Sequence, residues 1–346
     1  MKKFFWNQQQ NRLRAFWRIL IVISSYFGLL YLLRQLFMGA GGNLADTSRI
    51  SITFVHLGIL LLILAWVAWR IDKRDFAEYG LNLWRRDWWI NFGFGVLLGG
   101  VMITAVFLLE FFIGWVHIID TFANSTDIPF VLAITPPIFF VLADITLVYV
   151  VFFGFLLINL AESFRFLETR WVTAMEGRSL NSGRFQFAAP KLQALGQRLP
   201  VLAAWAFATL FFLSSRLGDG DATKILLYNL IRGSLLLALP FVLTRNLGLT
   251  IGIGLGWNII SKYVLGFSTR TIFLDDSTSV LLLKQEGPAF FTGGVLGPEA
   301  GILAMGALVL GGIIMLAWIR YRHKKHPPAF NPWIFEYHPN QRSDGS

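Results

Sequence analysis

Apolar residues run along this chain in long blocks separated by short polar stretches, and they do not alternate as they would along half-buried strands. A helix needs about 20 predominantly apolar residues to cross a hydrocarbon core. Eight blocks meet that length, at approximately 15–36, 51–69, 88–116, 128–163, 200–217, 224–243, 248–266 and 299–319. The pattern predicts an all-α polytopic membrane bundle of about eight transmembrane helices. The third block is long enough to tilt, and Pro136-Pro137 is expected to break or kink the outer end of the fourth. Residues 1–14 read as a basic N-terminus, 15–320 as a single transmembrane domain and 321–346 as a polar tail. The largest polar interruption, 170–199, reads as a loop punctuated by Gly, Ser and Pro.

Composition excludes the other classes. The 346 residues are 55% hydrophobic and 14% charged, where soluble domains carry about a quarter charged residues. The 33 Phe and 13 Trp are far too much apolar surface for a disordered chain. Cysteine is absent, which removes disulfides, thiolate metal sites and a cysteine nucleophile. The formal charge of +10 is not a nucleic-acid signal, because the basic residues form no single stripe. With the N-terminus inside, the segments 1–18, 70–87, 164–199, 244–247 and 320–346 carry 22 of the 30 Lys and Arg. That asymmetry orients the bundle with both termini cytoplasmic, and its first partner is the lipid bilayer. Asp120, Asp127, Asp219, Asp221, Asp275 and Asp276 fall on the opposite side. Trp69, Trp84, Trp88, Trp89, Trp115 and Trp171 lie near span ends, where indole rings anchor in the headgroup layer.

Ionisable residues inside a bilayer are costly and mark candidate sites. Here they are Glu110, Asp144, Arg216, Arg232 and Lys262. Opposed chain directions put Asp144, Arg216 and Lys262 at comparable depth, so pairing in a polar pocket is expected. Asn258, one turn before Lys262, faces the same way. The alternative is that Arg216 and Lys262 snorkel to the interface while Asp144 accepts a bond from Thr146 or nearby backbone. Glu110 reads as interfacial. Asn159, Asn229 and Asn258 can join helices by hydrogen bonds, and the series Gly93, Gly95, Gly99, Gly100 and Gly248, Gly252, Gly254, Gly256 suits close helix approach. Ser214-Ser215 has no neighbouring histidine to activate it, and the His323/His326 pair sits in a basic, solvated tail.

The stretch LVYVVFFGFLLINLAESF, residues 147–164, resembles the first signature of the CPBP family of intramembrane metalloproteases, also called CAAX prenyl protease or lysostaphin-resistance-like proteins. That signature reads Glu-Glu-x-x-x-Arg-Gly and continues into an Asn-Leu-Ala-Glu-like tail. Gly154, Leu156, Leu157 and Asn159 to Glu162 fit the frame, but Val148 and Tyr149 stand at the glutamates and Phe153 at the arginine. The second signature, Phe-x-x-x-His, aligns with FLSSR, which keeps Phe212 and puts Arg216 at the histidine. The third, His-x-x-x-Asn, aligns with GLGWN, where Gly254 replaces the histidine and Asn258 is retained. The flanks RAFWRIL, RDFAEYGLNLWRRDWWINFGFGVLLGG and GPAFFTGGVLGPEAG extend the resemblance over nearly the whole chain, with the family core at about 128–266.

What the resemblance implies is a CPBP-like bundle in a bacterial cytoplasmic membrane without the family's catalytic groups. Carboxylates and imidazoles would hold a metal and polarise water; Val148 and Gly254 offer no ligand, and Tyr149 is a poor base at neutral pH. Arg216 would set a fixed positive charge where a cation should sit. The expectation is a non-proteolytic member with a partly closed chamber and no cofactor, acting as a binding or accessory subunit for a membrane protein partner or larger complex, or for a lipid-like ligand. Two readings stand beside it. An active endopeptidase using other residues would need zinc or another divalent metal, and a small-solute transporter would use Asp144, Arg216 and Lys262 as its polar path.

Overall fold

The computed structural model describes residues 5–7, 12–39, 54–55, 58–59, 61–124, 129–179, 189–214, 222–267, 278–327 and 335. The chain is mostly helical. Helix α1 covers Ala15–Gly39 and follows a short antiparallel pair, β1 Trp6–Asn7 and β2 Arg12–Leu13. The helical turns after residue 61 loosen to π geometry over Val67–Asp72 and stop at Lys73, whose φ of 53° ends the segment. Helix α2, Arg86–Ile113, has Asp87 in its first turn, where a carboxylate complements the helix dipole. It ends on Gly114, whose left-handed φ of 83° lets its N–H reach the carbonyls of Glu110 and Phe111.

Helix α3 begins at Phe130, passes into π geometry over Val150–Leu156 and resumes as α-helix to Ser163. The expected break at Pro136-Pro137 does not occur: α-helix runs through both prolines from Phe130 to Tyr149. The lost amide bonds fall within the first turns, and burial of the rest of the helix holds its course. Every residue from Leu147 to Ala161 is buried, which makes α3 the pillar of the bundle. Helix α4, Arg165–Ser179, and helix α5, Ala189–Ser214, occupy most of the stretch expected as a loop at 170–199. They pack so closely that a Cβ on Gly196 would lie 2.5 Å from Trp171. Helix α6 comprises Ala222–Ile231, a π turn Arg232–Ala238 and Leu239–Thr244, and helix α7 comprises Gly248–Ile259 with a π turn Ile260–Val264. Strand β3, Val116–Ala123, pairs antiparallel with β4, Ser279–Gln285, before helix α8, Ile302–Lys325, closes the chain.

Among the described residues, five helical segments are long and apolar enough to cross a membrane: Arg86–Ile113, Phe130–Ala174, Ala194–Ser214, Leu226–Thr244 and Ile302–Lys325. The apolar part of α1, Ala15–Leu29, is shorter, and the block expected at 51–69 is only partly described. Two apolar clusters share the interior. One surrounds α3 with α1, α5 and α6; the other joins α2, α7 and α8 through Ile103, Val106, Ile253, Trp257, Leu308 and Met315.

The seam between α2 and α7 is built from the two glycine series. A Cβ on Gly95 would lie 2.5 Å from the carbonyl of Leu249, and one on Gly248 would lie 2.5 Å from that of Trp88. Gly99, Gly252 and Gly256 press still closer onto the backbone of the facing helix. Two tryptophans depart from the anchoring role. Trp88 is buried and donates from Nε1 to the carbonyl of Gly80 at 2.9 Å, and Trp171 is half-buried against α5. Trp69, Trp84 and Trp89 do face outward.

Candidate functional site

Four residues that the resemblance singled out, Tyr149, Phe153, Phe212 and Gly254, come together inside the bundle. Tyr149 ends the α-helical part of α3, and the π geometry that begins at Val150 brings Phe153 beside it, with ring centroids 5.7 Å apart. Phe212 of α5 reaches the same place, 5.3 Å from Phe153 and 6.4 Å from Tyr149. Gly254 of α7 completes the group: a Cβ built on it would lie 2.5 Å from the Tyr149 hydroxyl. The tyrosine thus stands in the space that any side chain at 254 would enter. Val148 is buried in the core, and the Asn258 side chain turns back on its own helix to donate to the Gly254 carbonyl at 2.8 Å.

Asp144 and Lys262 are half-buried on α3 and α7, and Arg216, the other expected partner of Asp144, lies outside the described residues. Thr146 donates its hydroxyl to the Leu142 carbonyl at 2.7 Å. Glu110, read as interfacial, has its side chain buried under the β3–β4 pair, where Gln285 Nε2 donates to it at 2.6 Å. Asn91, which was not among the asparagines expected to join helices, links α2 to α8 by accepting from Trp318 Nε1 at 3.0 Å.

A polar arrangement that the signature positions did not announce lies on Tyr149. Arg232 opens the π turn of α6 and donates from Nη2 to the Tyr149 hydroxyl at 3.1 Å. Its Nη1 lies 3.6 Å from Glu299 Oε1, and the Tyr228 hydroxyl donates to the same oxygen at 3.4 Å. Tyr149, Tyr228 and Arg232 are buried, while Glu299 keeps about a quarter of its side chain exposed. The centre of the bundle is therefore a tyrosine-lined arginine, positively charged on the inside and neutralised from the rim.

A second buried cluster joins the connectors. Arg12 donates to Asp72 Oδ1 at 2.7 Å and spans both oxygens of Glu162 at 2.9 and 3.0 Å. Arg18 donates to Glu162 at 3.0 Å and pairs with Asp72; Arg74 pairs with Glu162 and Glu78. Tyr79 donates its hydroxyl to Asp72, and Asn159 Nδ2 reaches the same carboxylate at 3.3 Å. Burial pushes the Tyr79 hydroxyl above its ordinary range, and the neighbouring arginines, Arg74 foremost, oppose the shift. Arg245 stacks on Phe335 nearby, so this residue of the C-terminal tail is folded against the chain's own core. The cluster ties the segment before α1 to the 70–80 connector and to the end of α3.

The sequence named Tyr149, Phe153, Phe212 and Gly254 through their places in the motifs, and Arg232 only as one of five charges in apolar surroundings. Glu299 and Tyr228 carried no local signal, since one sits in a Gly-Pro turn and the other in an amphipathic stretch. Arg12, Arg18 and Arg74 were legible only as cationic loop residues; Glu162, the acid that all three share, lies 88 to 150 positions away. No family model, no curated protein and no solved structure matches this chain.

Proposed function

We propose that the chain is an eight-span, CPBP-like protein of a bacterial cytoplasmic membrane, with both termini cytoplasmic, that serves as a binding or accessory subunit and cleaves no peptide bond. The observation that carries this reading is the Tyr149 hydroxyl packed against Gly254. In the family frame these are a glutamate position and a histidine position, and here one side chain fills the space of both. The residues present do not fit a zinc ion. Phenyl rings of Phe153 and Phe212 line the spot, and the guanidinium of Arg232, bonded to the Tyr149 hydroxyl, repels a cation. A packed tyrosine–arginine centre preserves the bundle's shape, while Val148, Tyr149 and Gly254 at the family's ligand positions offer no carboxylate or imidazole to activate a water against an amide.

The test is purification of the intact chain from its native membrane, with identification of what accompanies it and assay for cleavage of prenylated and unprenylated peptides. A reproducible membrane partner in fixed ratio, with no peptide cleavage, is the expected result. Cleavage that a Tyr149→Phe variant abolishes would overturn the reading.

A further inference from the structure

Arg232 keeps guanidinium donors beyond the one that it gives to Tyr149. Its side chain is only 8% exposed, yet among the described residues its one hydrogen bond is the 3.1 Å contact to Tyr149. The 3.6 Å approach of Nη1 to Glu299 is an ion pair too long for a hydrogen bond. A guanidinium is a planar fork of five N–H donors that fits two oxygens of one carboxylate or phosphate. Here Tyr149 fixes one side of the fork, the Tyr228 ring supports it at 5.8 Å, and the remaining donors meet a carboxylate at arm's length.

That carboxylate is positioned to leave. Glu299 sits in the single turn Pro298–Ala300, entered through Gly297 at a φ of 76°, and its other contact is the 3.4 Å bond from Tyr228. Withdrawn to the rim, it regains hydration. The surface beside it is apolar and outward-facing: Leu227, Leu230 and Ile302 are each at least 40% exposed. In a spanning helix such residues face acyl chains.

We propose that Arg232 is the receptor for a phosphate-bearing anion that takes the place now held by Glu299. The apolar flank makes an anionic phospholipid headgroup the first source of that phosphate, and free inorganic phosphate the other. The inference rests on reading the chain as a binding protein. Glu299 acts as an internal competitor, which separates this account from a simple structural ion pair: removing its charge strengthens ligand binding.

The experiment incorporates the full chain into phosphatidylcholine nanodiscs and titrates phosphatidylglycerol, reading bound anionic lipid by mass spectrometry. Glu299→Gln is expected to raise apparent affinity about tenfold, Arg232→Gln to abolish binding in either background, and Arg232→Lys to retain a weaker, folded site. Competition by inorganic phosphate would keep the Arg232 site and overturn the lipid as its source. Phosphatidylglycerol binding unchanged in Arg232→Gln, or weakened in Glu299→Gln, would overturn the proposal. Partner co-purification is scored separately, so loss of this site and loss of the accessory role give different results.

Discussion

A single hydroxyl decides what the residue at 254 can be. The Tyr149 oxygen lies where even a methyl group at that position would need to go, and Tyr149 is held by Phe153, Phe212 and Arg232 on its other sides. Gly254→Ala is expected to cost about 1–3 kcal/mol as an overpacked core position, read as a lower melting temperature in detergent. Pairing it with Tyr149→Ala should recover part of that loss. Tyr79 gives a pH prediction at the same scale. Its folded pKa is raised, so above about pH 10 the unfolded chain releases a proton that the folded chain keeps. Its contribution is whole below that pH and declines as pH rises. Tyr79→Phe should therefore melt with a flatter alkaline slope than the unmodified protein, whatever its stability at neutral pH.

Elements rather than single groups explain why the two glycine series matter. Gly252 and Gly256 sit against α2 with no space for a side chain, whereas a Cβ on Gly93 would meet nothing within 4 Å. Gly252→Leu should abolish the folded, monodisperse protein and Gly93→Leu should leave it intact, a contrast read by size-exclusion chromatography in detergent. The ion cluster makes a comparable prediction for the connectors. Glu162 faces Arg12, Arg18 and Arg74 together, so Glu162→Gln leaves buried guanidinium groups short of charge and should cost about 3–5 kcal/mol. The segment before α1 should then become open to trypsin.

These interiors were unequally legible. Helical placement followed from apolar blocks, because a run of that length has few other fates. The α2–α7 seam followed from small residues at helical spacing. The β3–β4 pair did not, since its strands lie far apart in sequence and each falls in a short stretch between apolar blocks. The ion cluster was hidden for the same reason: each arginine resembles a solvated loop residue until the fold brings an acid beside it.

Over the whole molecule, three of the segments that the charge count assigns to one side, 1–18, 70–87 and 244–247, meet at one end. Arg12, Asp72, Arg74 and Arg245 gather there, while β3 and β4 gather near the opposite ends of α2 and α7. The chain contains no cysteine, so single cysteines at Asp75 and Glu286 report topology cleanly. A membrane-impermeant maleimide should label the Glu286→Cys protein in intact cells and reach Asp75→Cys only after lysis; the reverse pattern would invert the bundle.

The central claim is that this interior has been filled where a metalloprotease would hold its ion. Elemental analysis of the intact, detergent-purified chain after equilibration with zinc tests it most directly. The account predicts metal far below one ion per chain, unchanged by Tyr149→Phe. Stoichiometric zinc that survives gel filtration would contradict it.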